Sequence, residues 1–357
     1  MTRATLIYNP VAGRNPARRQ AEICAAAYVL RQSGFTLDVR TTTGPGSARH
    51  LAWSAGREGA DALIVCGGDG TINDAVNGLA PGACPLAILP GGTANIAAKD
   101  LGLPHNPVAA ARELKGARPR RIALGRVTWR PTENHPPTST ATSRFLSEEP
   151  NGALPPSQDF RYFLSVAGVG FDAYIIQRLG WDLKREFGVA AYVWEALRQV
   201  WRYGFPRFVC RRGPNEWRGA MAVFQRTERY AGWLHLAPGA SLLNHGMRLV
   251  LFESCRPRRY FFYAAAVGLR RHLQLHDLRM VESWPLVCSA EDSSRHIYVQ
   301  LDGELAGELP ATFDLVPDAL TLLLPERLAP AAIPALARLS GKAETWTISP
   351  TPSPESP

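Results

Sequence analysis

The segment Cys66-Gly67-Gly68-Asp69-Gly70-Thr71-Ile72-Asn73-Asp74 follows directly on the apolar run Ala62-Leu63-Ile64-Val65. A β-type run breaks at a glycine cluster that carries a carboxylate, a hydroxyl and an amide. Helical spacing then begins at Ile72, Ala75, Val76 and Leu79. Glycine lets the chain turn sharply and lets a ligand come close to the backbone. A helix N-terminus offers N–H groups without helical acceptors and the positive end of the dipole, which suits phosphate. The strand–turn–helix layout therefore predicts a phosphate cradle at the carboxyl end of a strand, where open α/β sheets place their ligands.

Two further segments repeat this logic. Leu86-Ala87-Ile88-Leu89 leads into Pro90-Gly91-Gly92-Thr93-Ala94-Asn95 and a helical stretch from Ile96. Ala4-Thr5-Leu6-Ile7-Tyr8 leads into Asn9-Pro10-Val11-Ala12-Gly13-Arg14. One such turn often does no more than reverse the chain; three of them near the amino terminus point to a shared ligand. Strands are predicted at 4–8, 36–40, 62–66 and 86–89, and helices at 16–33, 46–58, 71–80, 94–101 and 107–115. Gly34 stands where a helix C-terminus favours glycine. Alternating strands and helices with short loops predict a parallel sheet covered on both faces.

With 357 residues the chain exceeds what one core usually serves, so two domains are expected. Residues 130–158 are rich in Pro, Thr, Ser and Glu and read as a disordered insertion between strand-like segments at 121–129 and 160–166. From 160 to 325 the pattern is mainly β, with candidate strands at 160–166, 206–212, 219–225, 233–236, 247–252, 279–284, 296–301 and 320–324. A helical region at 172–203 interrupts them. Its aromatic residues, Trp194 and Trp201 among them, read as helix packing, with an acyl-chain or membrane contact as the alternative. A short helix is expected at 326–340 and a disordered tail from about Thr345.

No apolar stretch reaches the roughly 18–20 residues needed to span a bilayer. The longest, Tyr260 to Leu269, stops at Arg270-Arg271. The first apolar run is five residues long and opens the alternating strand–helix region, so no signal peptide is expected. Six scattered cysteines without a C-x-x-C pair suit free thiols in a reducing cytoplasm. The net charge of +9 is carried almost wholly by arginine, with only four lysines. This fits attraction to anionic membrane and nucleotide phosphate, and equally the basic surface that a GC-rich genome produces. No nucleic-acid-binding motif is apparent.

Tyr8-Asn9-Pro10, Gly67-Gly68-Asp69-Gly70-Thr71 and Leu89-Pro90-Gly91-Gly92-Thr93-Ala94-Asn95 resemble the diacylglycerol kinase catalytic family. That family includes soluble bacterial diacylglycerol kinases, sphingosine kinases and ceramide kinases. The GGDGT segment is shared with NAD kinases and, more distantly, phosphofructokinases; the Pro-Gly-Gly-Thr-Ala-Asn segment is more selective. The resemblance runs from Ala4 to about Pro325. It implies an α/β nucleotide-binding domain at 1–125, completed by a C-terminal segment around 305–340, and a β-sandwich lipid domain at 126–304.

The resemblance also implies ATP and Mg²⁺ as cofactors and a lipid hydroxyl as acceptor. The protein would be cytoplasmic and peripheral at the inner membrane surface, and a homodimer is compatible with this. The implied nucleotide-contacting residues are Asn9, Thr42, Gly67, Gly68, Asp69, Gly70, Thr71, Asn73, Gly92, Thr93 and Asn95. Thr41 and Thr43 flank Thr42 and leave that position open by one residue. Asp69 could hold Mg²⁺; an Asx-turn or helix cap is the structural alternative. Glu304 in Asp302-Gly303-Glu304 corresponds to the family's base, with Asp302 positioning it or standing in for it. Without the resemblance, the same three residues read as a plain hairpin turn. Asp172, in Gly168-Val169-Gly170-Phe171-Asp172, could be an N-cap. A kinase of a soluble acceptor such as NAD, or a non-catalytic sensor, are the competing readings.

One segment departs from the family. Bacterial members carry an acidic D-D-G-x-L-D-type segment after A-P-x-A, and its carboxylates help hold a structural Mg²⁺. Here Ala237-Pro238-Gly239-Ala240 leads to Asn244-His245-Gly246-Met247-Arg248. Mg²⁺ prefers oxygen ligands, so that site is expected to be lost or rebuilt, while the catalytic Mg²⁺ is a separate matter.

Overall fold

The computed structural model describes residues 2–13, 16–79, 82–129, 159–178 and 189–328. The insertion at 130–158 and the tail from Thr345 lie outside the described residues, as do 179–188 of the helical region and most of the helix expected at 326–340.

The amino-terminal domain alternates β1 (Thr2–Tyr8), α1 (Pro16–Gln32), β2 (Phe35–Thr41), α2 (Ser47–Arg57), β3 (Ala62–Gly67), α3 (Asp69–Gly78), β4 (Leu86–Pro90), α4 (Ile96–Asp100) and α5 (Pro107–Glu113). Every residue of β3 and β4 is buried. Such runs suit central strands of a parallel sheet with helices on both faces. The order is β2-β1-β3-β4, all parallel. Ile23, Ala26 and Leu30 of α1 pack with Ala110 and Ala111 of α5 on one face. Ala48, Ala52 and Ala55 of α2 pack with Ile72 and Val76 of α3 on the other. The strand order reverses between β1 and β3, and a crevice for a ligand opens at such a point.

The second domain is a β-sandwich, with β11 (Arg229–Tyr230) and β12 (Leu234–His235) forming a separate hairpin. One sheet runs β14 (Leu278–Val281), β13 (Arg248–Phe252), β10 (Met221–Gln225), β7 (Val166–Gly170), β16 (Tyr298–Leu301) and β17 (Glu304–Glu308). The facing strands are β5 (Arg118–Thr128), β6 (Phe160–Phe163), β8 (Phe208–Arg212), β9 (Asn215–Gly219), β15 (Leu286–Ala290) and β18 (Ala311–Leu324). Alternate residues of each strand meet between the layers. Phe224 of β10 stacks on Phe313 of β18 with ring centroids 3.9 Å apart. The outer face of the six-stranded sheet is covered by α6 (Phe171–Arg178), the end of α7 (Val189–Gln199) and α8 (Pro257–Gly268).

The domains are not joined end to end. β18 pairs with β15 through Ala311–Phe313 and, in parallel, with β4 at Leu322. β5 runs antiparallel to nearly all of it. Two long strands therefore cross the boundary, and the limit set at residue 125 falls inside β5. The strand expected at 320–324 begins at Ala311, and β15 and β17 were not anticipated. Cys210 and Cys288 face each other across β8 and β15 as free thiols.

Candidate active site

Three loops meet at the carboxyl ends of β1, β3 and β4. Gly91 N–H donates to Gly67 O at 2.9 Å. A Cβ on Gly92 would stand 2.5 Å from Gly68 Cα, and one on Gly91 2.9 Å from Gly67 N. The two glycine turns thus lie backbone against backbone, closer than any side chain permits. Asn9 closes the third side. Its Nδ2 donates to Thr71 Oγ1 at 3.1 Å, its N–H to Cys66 O, and its Oδ1 accepts from Val11 N–H. Asn95, at φ 48°, ties its own turn by accepting from Gly92 N–H and donating to Gly92 O. Thr93 is exposed at the tip of that turn. Thr42 is buried at the end of β2, its N–H donating to Tyr8 O.

Helix α3 starts in the middle of this cluster, with Gly68 as N-cap and no side-chain cap. Asp69 lies in its first turn, and its Oδ1 accepts from Ile96 N–H at 2.7 Å at the start of α4. Asp69 therefore couples two loops and also places a carboxylate at the cradle.

The second domain enters through β17. A Cβ added to Gly70 would fall on Glu304 Oε1, so the Glu304 carboxylate rests against the first turn of α3. Asp302, at φ 48°, is buried beneath it. Its carboxylate accepts from Leu164 N–H (2.7 Å), Ser165 N–H (2.8 Å), Val166 N–H (2.9 Å) and Asn73 Nδ2 (2.7 Å). Burial pushes it up to about 6 against the opposing pull of those amides. With four donors on its oxygens, Asp302 anchors the turn that presents Glu304. Asn73 is likewise turned away from the nucleotide side. It is buried and donates to Tyr162 O as well as to Asp302. The Asn73 side chain is engaged between the domains, because its helix face docks on β6.

A second chain of contacts supports the turn. Gly303 N–H donates to Gln300 Oε1 at 2.8 Å, and Gln300 Nε2 donates to Asp172 Oδ2 at 2.7 Å. Tyr230 OH donates to Asp172 Oδ1. Asp172 thus links the first turn of α6 to the loop carrying Glu304.

Asp74 was not singled out from the sequence, although it sits one helical turn beyond Gly70, a spacing that shares a helix face. Its Oδ2 accepts from Gly46 N–H at 2.9 Å, tying α3 to the start of α2. Burial and the Glu304 charge push it up to about 6, opposed by Arg161, the Gly46 amide and Arg49.

The catalytic Mg²⁺ expected with ATP fits these residues. Among the described residues no three His, Cys, Asp or Glu side chains cluster as a metal cage. Mg²⁺ in phosphoryl-transfer sites is usually held by one or two carboxylates and the substrate phosphates, and Asp69 meets that need. The structural Mg²⁺ does not fit. The Arg226 guanidinium is fully buried and donates to four main-chain carbonyls: Ala123 (2.9 Å), Leu242 (3.2 Å), Asn244 (2.8 Å) and Gly246. Three main-chain oxygens of the 242–246 segment are thus taken by the chain's own cation, and His245 is exposed.

Comparison with known proteins agrees with this architecture. Residues 3–127 match the diacylglycerol kinase catalytic domain. Residues 165–324 match the YegS C-terminal NAD kinase beta sandwich-like domain. The diacylglycerol kinase of Bacillus subtilis is 28% identical over 320 residues, covering 88% of this chain and 93% of its own. A Pseudomonas putida protein named "Probable lipid kinase YegS-like" is 29% identical over 311 residues, covering 85% and 90%. A diacylglycerol kinase crystal structure from Bacillus anthracis shares the fold, with a TM-score of 0.61 at 17% identity over 92% of this chain and 98% of that one. The two matched domains carry, in order, the glycine cradle and the strand that brings Glu304 to it, and the chain belongs to the diacylglycerol kinase catalytic-domain family of lipid kinases.

Proposed function

We propose that this protein transfers the γ-phosphoryl group of ATP to a hydroxyl of a membrane lipid of the diacylglycerol or sphingoid and ceramide type, with Glu304 as general base. The observation that carries this reading is the contact of Glu304 with Gly70, which sets a carboxylate of one domain against the phosphate cradle of the other.

The backbone N–H groups at the start of α3, with the Thr71 hydroxyl held by Asn9, bind and orient the phosphates. Mg²⁺, held by Asp69 and the phosphate oxygens, would neutralise charge on the transferring group. Glu304 accepts the proton of the lipid hydroxyl as its oxygen bonds to the γ-phosphorus and the bond to the β,γ-bridging oxygen breaks, releasing ADP. Asp302 and the Asp172–Gln300–Gly303 chain hold Glu304 at the angle this requires.

The test is transfer from γ-labelled ATP with Mg²⁺ to a panel of diacylglycerol, sphingoid base, ceramide and NAD. Label in a lipid, lost with Glu304→Ala, supports the proposal. Label only in NAD, or in no acceptor, overturns it.

A further inference from the structure

Helix α7 and the residues after it expose Trp194, Leu197 and Trp201 at helical spacing along one side, with Trp194 69% and Trp201 58% accessible. Helix α8 exposes Phe261 and Phe262, the latter 63% accessible, and Leu269 follows at 71%. These are one surface, because the Trp201 and Phe261 rings lie 5.7 Å apart. Underneath, Tyr260 and Tyr263 of α8 and Val200 and Tyr203 after α7 are buried on the six-stranded sheet. Each segment thus has a complete inner face and a second apolar face directed outwards, more than its own core requires.

Arginines flank this surface in the chain. Arg202, Arg256, Arg258, Arg270 and Arg271 are exposed. None of the five forms an ion pair among the described residues. The nearby carboxylates of Asp277 and Glu253 are taken by Arg259 and Arg279. Aromatic rings flanked by unpaired arginines suit a lipid interface, where rings sit at headgroup depth and arginines meet lipid phosphate.

We infer that the α7–α8 face docks on an anionic lipid bilayer. The inference rests on the lipid-kinase reading only for its purpose, which is to deliver the site to its acceptor. The face also connects to the site, since α7 packs on α6. Asp172 of α6 holds Gln300, and Gln300 holds the amide of Gly303 beside Glu304.

The test uses the full chain with vesicles of phosphatidylcholine alone and of phosphatidylcholine with phosphatidylglycerol. Binding is read by co-sedimentation across a salt series. The protein is expected to bind the anionic vesicles and to release them as salt rises. Trp201→Ser with Phe262→Ser should weaken binding at least about tenfold, since burial of one aromatic side chain is worth more than one decade. Arg270→Glu with Arg271→Glu should abolish the preference for phosphatidylglycerol. Both pairs are exposed, so unchanged melting temperatures verify folding. Phosphorylation of a vesicle lipid should fall with binding, while that of a short-chain acceptor dissolved as monomers should not.

Equal binding of wild type and the aromatic variant overturns the inference, as does equal binding to both vesicle types. A dimer that the aromatic variant dissolves while vesicle binding persists overturns it too, in favour of a second copy on this face. Vesicle binding as described, with no transfer to either acceptor, upholds the docking face and sinks the kinase reading alone.

Discussion

Asp74 is the side chain whose ionisation the fold disturbs most usefully. It lies against the Glu304 charge, and its carboxyl is raised from 3.8 to about 6. Between those values the folded chain keeps a proton that the unfolded chain has lost. The resulting stability is fully present below about pH 4 and drains away as pH rises through about 6. At pH 7 the ionised group therefore costs stability. Asp74→Asn is expected to melt well above wild type at pH 7 and close to it at pH 4; the same difference at both pH values would refute this. Arg226 is a different case. Its loss removes the donor from four carbonyls, those of Ala123 and Leu242 buried, and Arg226→Met should destabilise by at least ~3 kcal/mol in denaturant unfolding. Neither role was legible in the sequence. An aspartate one turn past a glycine cluster and an arginine after a strand acquire their meaning from elements far away in the chain.

At the scale of elements, the amino-terminal half could be read closely. The apolar runs of β1, β3 and β4 and their glycine turns carry their structure locally, since buried parallel strands need continuous apolar sequence. The second half was harder. β15 and β17 are short and partly exposed, so their alternation is weak. β18 is interrupted at Val316-Pro317-Asp318, where its register with β5 shifts, and only its last turn of apolar residues stood out. Asn73 was assigned to the nucleotide by its motif, whereas helix geometry turns it onto β6 with Asn77, both donating to Tyr162 O. The start of α3 offers a direct test of how the elements meet. Gly70→Ala places a methyl group where Glu304 Oε1 rests. The flexible carboxylate must move, so kcat is expected to fall at least about tenfold with little change in KM for ATP. An unchanged kcat would mean that Glu304 does not need that position.

At the scale of the molecule, two strands crossing the boundary tie the domains together, with the glycine cradle in one and Glu304 in the other. The internal guanidinium of Arg226 joins β5 to the 242–246 segment. Chelation with EDTA should therefore leave the melting temperature unchanged while abolishing transfer, whereas a large drop in melting temperature would reveal a structural cation. The α7–α8 face lies in the helical layer over the sheet whose edge strand bears Glu304. In the proposed reaction Glu304 acts on the acceptor and not on the nucleotide. The decisive measurement is phosphoryl transfer by Glu304→Gln alongside its affinity for ATP. A fall of roughly 10²–10⁴ in kcat with ATP affinity unchanged is the expected result. Retained transfer, or loss of ATP binding in step with activity, would contradict it.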